Sequence, residues 1–284
     1  MSEAGKITGA KTVSDTEHAA TAGRLAILAG GGQLPATLAK SDPDAFTVSF
    51  KGAPIDFETA YTASFEKLGR LFKRLHKEGV TRVVFAGGLA RPALNPLRFD
   101  ATMIRLAPRI LAAMKGGDDA LLRLVIEVFE AEGFAIVGAH DVEPTLLATL
   151  GVISGSEPDE QSLQDLARAG AILEALADVD VGQGCVVANG LCHGIETIQG
   201  TDEMLRFVAR SDLERSGILL KRAKRGQELR VDMPVIGPQT LKMAHLAGLA
   251  GICVQAGKVM IVERDEVLRL SEDYGIFLFG EAGP

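Results

Sequence analysis

The stretch LAILAGGGQLPATLAK, residues Leu25 to Lys40, joins a short apolar run to a helix-like run through three consecutive glycines. Glycine is favoured where the backbone needs a positive φ angle or where another group must approach closely. A loop of this kind at the start of a helix can also bind phosphate groups. The stretch therefore predicts a strand, a tight loop and a helix, with the loop as a candidate nucleotide site.

A dinucleotide site is disfavoured by the sequence around this loop. Gly30, Gly32 and Pro35 stand where the fingerprint G-x-G-x-x-G has its glycines. That fingerprint also needs an acidic residue near the end of the second strand, which binds the ribose hydroxyls. Here the second strand ends in SFKG, residues 49–52, without a carboxylate. Two alternatives remain for the loop, a different nucleotide site and a purely structural turn.

Short apolar runs alternate with amphipathic runs on the C-terminal side of the loop. The segments AFTVSF (45–50), TRVVFAGG (81–88) and FAIVGAH (134–140) are predicted strands, and helix-like runs separate them. Strands that alternate with helices form parallel sheets, and ligands bind beyond the carboxyl ends of such strands. We therefore expect an α/β fold that begins with a Rossmann-like parallel sheet.

The alternation breaks at VISGSEPDEQS, residues 152–162, where Ser, Glu, Pro and Asp cluster. Such a cluster favours a linker. We expect a disordered leader over residues 1–23, a Rossmann-like nucleotide-binding domain over 24–160 and a second α/β domain over 161–284. In this second domain, ELRVDMPVIG (228–237) is predicted to be a strand.

Composition excludes several classes of protein. The formal net charge of −7 and the pI near 5.4 argue against a nucleic-acid-binding surface. No apolar run reaches the roughly 18 residues that span a bilayer, and the N-terminus has no signal-peptide pattern. The three cysteines form no C-x-x-C pair, which is typical of reduced, structural thiols in a cytoplasmic protein.

Acidic residues supply the candidate chemistry. Asp232 interrupts an apolar run, where a lone carboxylate needs a partner or a metal ion. Two acidic pairs, Asp118–Asp119 and Asp202–Glu203, begin predicted helices, and acids at such positions are also ordinary helix-capping residues. Lys115 and Lys221 are candidate phosphate contacts. Together the carboxylates favour a hard cation such as Mg²⁺ or Mn²⁺, and no histidine pattern indicates zinc.

Five segments, in chain order, resemble one family. They are LAILAGGGQLP (25–35), AGGLARP (86–92), KGGDDALLR (115–123), NGLCHGIETIQGTDEML (189–205) and LRVDMPVIGPQT (229–240). These segments are similar to those of the LpxI-type UDP-2,3-diacylglucosamine pyrophosphatases of lipid A biosynthesis. The resemblance implies a two-domain enzyme with its substrate between the domains. It also implies Mg²⁺-dependent hydrolysis to UMP and 2,3-diacylglucosamine 1-phosphate (lipid X), with water attacking the sugar-side phosphorus.

The resemblance also assigns roles to residues. Asp232 is expected to be a metal ligand or the base that orients water, and Asp202 a further metal ligand. Asp202, Glu203 and Asp119 are expected at the catalytic centre beside Asp232. The expected substrate contacts are Gly30, Gly31, Gly32, Gln33, Leu34, Gly87, Gly88, Asp118, Thr201 and Lys221.

The implied partners are the diacylated UDP-sugar and lipid X, and no nucleic acid. The expected location is the cytoplasm, while transient contact with the inner membrane and a homodimer stay open. The segment LKMAHLAGLAGICV (241–254) is a candidate apolar groove for the acyl chains, and a buried core helix is the alternative reading. Two rival functions also stay open. A nucleotide-sugar-binding regulatory protein would keep the loops without needing Asp232, and an oxidoreductase would need an acid or Arg on the second strand.

Overall fold

The structure, a computed structural model, describes residues 23–88, 94–115, 118–211 and 213–283, and no side chain at positions 118 and 119. The chain forms two units. One contains the residues up to Gly31 and residues 42–137, and the other contains residues 32–41 and the chain from Gly138 onward. Apart from Gly23, the leader expected over residues 1–23 lies outside the described residues.

The first unit contains a five-stranded sheet in which all strands are parallel, as the alternating pattern predicts. Its strands are β1 (Arg24–Ala29), β2 (Phe46–Phe50), β3 (Tyr61–Ala63), β4 (Val80–Ala86) and β5 (Ala135–Val137). Their spatial order is β3-β2-β1-β4-β5. The apolar residues of β1 are buried because this strand is central. The strand order reverses between β1 and β4, where ligands bind in open α/β sheets.

The second unit contains a mixed six-stranded sheet and a small two-stranded sheet. The six strands, in spatial order, are β6 (Gly151–Ser154), β13 (Phe277–Glu281), β11 (Gly251–Gln255), β9 (Ile218–Lys221), β7 (Gly184–Ala188) and β8 (Leu191–Ile195). The small sheet pairs β10 (Val235–Ile236) with β12 (Met260–Ile261). Together with the parallel first sheet, this arrangement confirms the expected two-part α/β fold.

Helices connect these strands, and none within the described residues is long and apolar enough to cross a bilayer. They are α1 (Leu34–Ser41), α2 (Leu68–Lys77), α3 (Ala101–Lys115), α4 (Asp118–Ala131), α5 (Ala139–Val142), α6 (Glu160–Leu176), α7 (Thr201–Val208), α8 (Pro238–Leu246) and α9 (Arg264–Tyr274). Helix α2 buries Leu71, Phe72 and Leu75, whose spacing predicts one apolar face. It is followed by Gly79, at a φ angle of +70°.

Helix α1 follows β1 in sequence but belongs to the second unit. It contacts α5, and the hydroxyl of Ser41 donates a 2.5 Å hydrogen bond to the Glu143 carboxylate. Strand β6 also belongs to this unit, because it pairs antiparallel with β13. The units therefore divide after Val137, earlier than the boundary expected between residues 160 and 161, and β6 occupies the start of the expected linker.

Two expectations for the second unit are wrong in detail. Residues 229–231 form a turn, residues 232–234 are irregular, and only Val235–Ile236 of the predicted strand is a strand. The segment expected to open an apolar groove is packed instead. Ala244 and Ala247 are buried in the apolar core that α7, α8 and α9 form against the second sheet, so the core-helix alternative is the correct one.

The glycines that follow β1 and β4 lie directly against each other. Gly31 N donates to Gly88 O at 2.8 Å, and Gly88 N donates to Gly31 O at 3.0 Å. A Cβ atom at Gly30 would lie 2.5 Å from Gly88 O, and one at Gly87 would collide with Gly31 O. Glycine is therefore required at Gly30 and Gly87 so that the two loops can pair.

Replacing Gly87 by Ala should lower the free energy of unfolding by about 2 kcal/mol or more, because Gly87 combines this collision with a φ angle of +84°. Gly88→Ala is the matched control, since a Cβ atom there meets nothing within 4 Å. Urea denaturation of both variants checks the prediction. Equal stability of the two variants would contradict the pairing of the loops.

Candidate functional site

Polar side chains gather at one edge of the second sheet. Strands β9, β11 and β13 are parallel, and β7 is antiparallel to both β8 and β9. The carboxyl ends of β8, β9, β11 and β13 therefore meet at the same edge. Glu196 follows β8, while Lys221, Gln255 and Glu281 are the last residues of the other three strands. Ligands bind beyond the carboxyl ends of strands in such sheets, so this edge is the candidate site.

Lys221 is the buried cation of this edge. Its side chain is 6% exposed, and its Nζ donates a 2.5 Å hydrogen bond to the hydroxyl of Thr201, the first residue of α7. Glu196 Oε2 lies 3.8 Å from this Nζ and is buried without a hydrogen-bond partner among the described residues. Burial lowers the pKa of the Lys221 ammonium, and the carboxylates of Glu196 and Asp202 oppose that shift. The structure thus brings together three of the predicted residues, Thr201, Asp202 and Lys221.

Asp232 directly follows a turn in the segment between β9 and β10, and its side chain is exposed. Gln227 Nε2 donates a 2.7 Å hydrogen bond to Asp232 Oδ2. The same amide nitrogen lies 3.4 Å from Gln183 Oε1, and Gln227 Oε1 accepts a 2.9 Å hydrogen bond from Lys224 N. The lone carboxylate therefore has a polar partner, and this partner fixes its position relative to the start of β7.

A polar cavity of about 360 Å³ lies at the same edge, and Gln183 lines it. Four cationic residues, Arg222, Lys224, Arg225 and Lys258, also line it, together with the acidic residues Glu174 and Asp180. Arg222 forms a bidentate ion pair with Glu281, in which Nε and Nη2 donate to the two carboxylate oxygens at 2.6 and 2.7 Å. Lys224 pairs with Asp180 at 3.0 Å, and Arg225 pairs with Glu174. The cavity therefore holds cationic groups in fixed positions beside the segment that carries Asp232.

The remaining predicted residues have other positions within the two units. Glu203 is exposed and pairs with Arg206 one turn along α7, which is ordinary for a helix surface. Gly32 and Gln33 are exposed and Leu34 begins α1. Asp118 and Asp119 begin α4, but their side chains lie outside the described residues.

Sequence reasoning missed Glu196, Gln227 and the cationic cavity. Glu196 lies in the segment HGIETIQG, where nothing in the local pattern distinguishes it from a surface acid. Gln227 is five residues from Asp232, a spacing that has no meaning until the turns between them are known. The one available signal for the cavity was the basic run KRAKR, residues 221–225, directly after an apolar strand.

A parallel sheet with paired glycine loops and a mixed sheet with a charged carboxyl edge define a two-unit α/β protein with a candidate anion-binding site. Residues 24–146 match the family model described as the LpxI N-terminal domain, and residues 149–279 match the LpxI C-terminal domain. The chain is 38% identical over 271 residues to the UDP-2,3-diacylglucosamine pyrophosphatase LpxI of Caulobacter vibrioides, covering 90% of this chain and 97% of that protein. The chain belongs to the LpxI family, which confirms the resemblance seen in its motifs.

Replacing Lys221 by Met should lower the free energy of unfolding by about 3 kcal/mol or more, because it leaves the buried Glu196 carboxylate without a cation. A second substitution, Glu196→Gln, should recover part of that loss. The control Lys224→Met breaks an ion pair in which Asp180 is largely exposed, and it should cost at most about 1 kcal/mol. Urea denaturation of the four proteins measures the effect, and equal losses for the two lysine variants would disprove the buried pairing.

Proposed function

We propose that this protein hydrolyses the diphosphate of UDP-2,3-diacylglucosamine to UMP and 2,3-diacylglucosamine 1-phosphate in lipid A biosynthesis. The observation that carries the proposal is the position of Asp232, an exposed carboxylate held by Gln227 beside a cationic cavity. The name of the Caulobacter vibrioides relative supports the choice of substrate. The reaction would take place in the cytoplasm, at the surface of the inner membrane that holds an acylated substrate.

The cationic cavity is the proposed site of the diphosphate. Arginine and lysine side chains form charge-assisted hydrogen bonds with phosphate oxygens, and Arg222, Lys224 and Arg225 are already held in place by acidic partners. The buried Lys221 contributes its positive charge from within the unit and fixes Thr201 at the start of α7. The exposed Gly32 and Gln33, which belong to the same unit, are proposed contacts of the UDP group.

Asp232 is the proposed base that orients the attacking water. The hydrogen bond from Gln227 fixes the direction of its carboxylate, and its exposure lets water reach it. As a proton passes from water to the Asp232 carboxylate, the water oxygen forms a bond to the sugar-side phosphorus, and the bond from that phosphorus to the bridging oxygen breaks. The bridging oxygen leaves as part of UMP. General-base catalysis of this kind contributes roughly 10²- to 10⁴-fold to a rate.

The donor set of the second unit is compatible with Mg²⁺. No group of three His, Cys, Asp or Glu side chains suited to a metal ion occurs in the part of the chain that the structure describes. Mg²⁺ requires only one or two protein carboxylates, because phosphate and water supply its other ligands. Asp202 is the proposed ligand, while Asp232 acts as the base, and the chemistry that Mg²⁺ would supply when bound is neutralisation of the diphosphate charge.

Asp232→Ala should lower kcat by about 100-fold or more, because general-base catalysis is lost. The dissociation constant for UMP should stay within a factor of two, since the cationic cavity is intact. Asp265→Ala removes another exposed carboxylate of this unit and should keep normal kcat. Steady-state kinetics and calorimetric binding of UMP provide the two measurements. Near-normal turnover by Asp232→Ala would remove this residue from the mechanism.

Chelation by EDTA should abolish hydrolysis, and added Mg²⁺ or Mn²⁺ should restore it, because the available ligands are hard carboxylate oxygens. Release of UMP in an assay with defined free metal concentrations measures the effect. Undiminished activity after exhaustive chelation would refute the metal requirement while leaving the role of Asp232 testable.

A further inference from the structure

Two of the three cysteines of this chain lie side by side in the hairpin formed by β7 and β8. Their sulfur atoms, Cys185 Sγ and Cys192 Sγ, are 3.9 Å apart, and both residues are free thiols. In the register of the hairpin Cys192 lies opposite Val187, which is two residues from Cys185 and shares its face of β7. The two thiols are therefore diagonal neighbours on one face of the sheet.

The turn of this hairpin is fixed to helix α6. The fully buried Asp165 of α6 accepts hydrogen bonds from Asn189 N and Gly190 N, at 3.0 and 2.7 Å. Hydrogen bonds from backbone N–H groups to a carboxylate are strong because the acceptor is charged. The turn therefore keeps β7 and β8 in register and the two thiols adjacent.

Strand β8 has room for the small movement that a disulfide bond requires. A bonded pair of sulfur atoms is about 2.05 Å apart, so the two thiols must approach each other by about 2 Å. Strand β8 is the terminal strand of its sheet, and its pairing with β7 is irregular between Val186 and Val187. A bulged edge strand bends more easily than a central strand, and cysteine side chains can rotate about χ1.

The two thiols differ in their access to solvent. Cys192 is exposed, whereas Cys185 is fully buried. Burial raises the pKa of the Cys185 thiol to about 12, and the neighbouring Cys192 adds to this shift. Cys185 therefore stays protonated at neutral pH and away from oxidants in solution, while Cys192 is open to them. Redox-active pairs commonly combine an accessible thiol with an adjacent thiol that reacts second.

We propose that hydroperoxides oxidise Cys192 and Cys185 to a reversible disulfide bond. The Cys192 sulfur attacks a peroxide oxygen and the O–O bond breaks. The sulfur becomes a sulfenic acid, and the leaving hydroxide takes the thiol proton and departs as water. The Cys185 sulfur then attacks the Cys192 sulfur, the S–O bond breaks, and this hydroxide takes the Cys185 proton as a second water. The disulfide protects Cys192 from irreversible oxidation.

Cys253 provides a matched control. It is as deeply buried as Cys185, and Leu220 of β9 lies between these two cysteines in the register of the sheet. Two strand spacings of about 4.8 Å each therefore separate their backbones, which is too far for a disulfide bond.

Intact mass spectrometry of the whole chain after treatment with hydrogen peroxide tests the proposal. The wild-type chain should lose about 2 Da, the mass of two hydrogen atoms, and dithiothreitol should reverse the loss. Cys253→Ala should behave in the same way, and Cys192→Ser should not lose this mass. Cys185→Ala should instead gain oxygen atoms on Cys192. Peptide mapping should place the cross-link between Cys185 and Cys192.

Two results would overturn the proposal. One is addition of oxygen to Cys192 of the wild-type chain to the same extent as in Cys185→Ala. The other is a disulfide bond that joins Cys192 residues of two chains, which non-reducing electrophoresis detects. Circular dichroism identifies any variant that does not fold. Alkylation of Cys192 with iodoacetamide in the folded wild-type chain then serves as the test without substitution, since it should prevent the mass loss. These measurements use no substrate and do not depend on the hydrolase activity proposed above.

Discussion

A buried ammonium group organises the carboxyl edge of the second sheet. An enclosed cation is unfavourable unless its neighbours compensate for the lost water, and for Lys221 the neighbours are Glu196 and Thr201. One side chain thus fixes the end of β9 relative to the segment after β8 and the first residue of α7. The next residue, Arg222, ties the same strand end to Glu281 of β13. The segment that carries Asp232 therefore starts at a strand end that ion pairs hold in place.

Local pattern was sufficient to predict much of the fold. Strand β1, the tight glycine loop after it and the apolar face of α2 are all predictable, because each depends on neighbouring residues. The surroundings of Asp232 could not be predicted. Its partner Gln227 lies on the other side of a turn, and the apolar residues of 228–237 have the pattern of a strand. Glu196 was missed because its significance comes from Lys221, which is distant in sequence.

Two cavities, one in each unit, differ in the chemistry of their linings. The lining of the cavity in the second unit includes four cationic residues, Arg222, Lys224, Arg225 and Lys258, and two acidic residues, Glu174 and Asp180, whereas the described lining of the cavity in the first unit is entirely apolar. The alanines and glycines of residues 241–254 indicate a groove when the sequence is taken alone. In the structure these residues end α8 and begin β11, and Ala244 and Ala247 pack in the buried core instead.

The assignment of α1 to the second unit has a consequence for how the protein can be made and divided. The chain changes unit after Gly31, after Ser41 and again after Val137. A fragment that starts at residue 149, where the match to the C-terminal family model begins, would lack both α1 and α5. On the ribosome, α1 is synthesised about 100 residues before α5, the helix it contacts, so α1 cannot pack in its unit until that later segment exists. The two family domains of this chain are therefore not independent modules. Transfer of the C-terminal family domain alone into another protein would leave the second unit without α1 and α5.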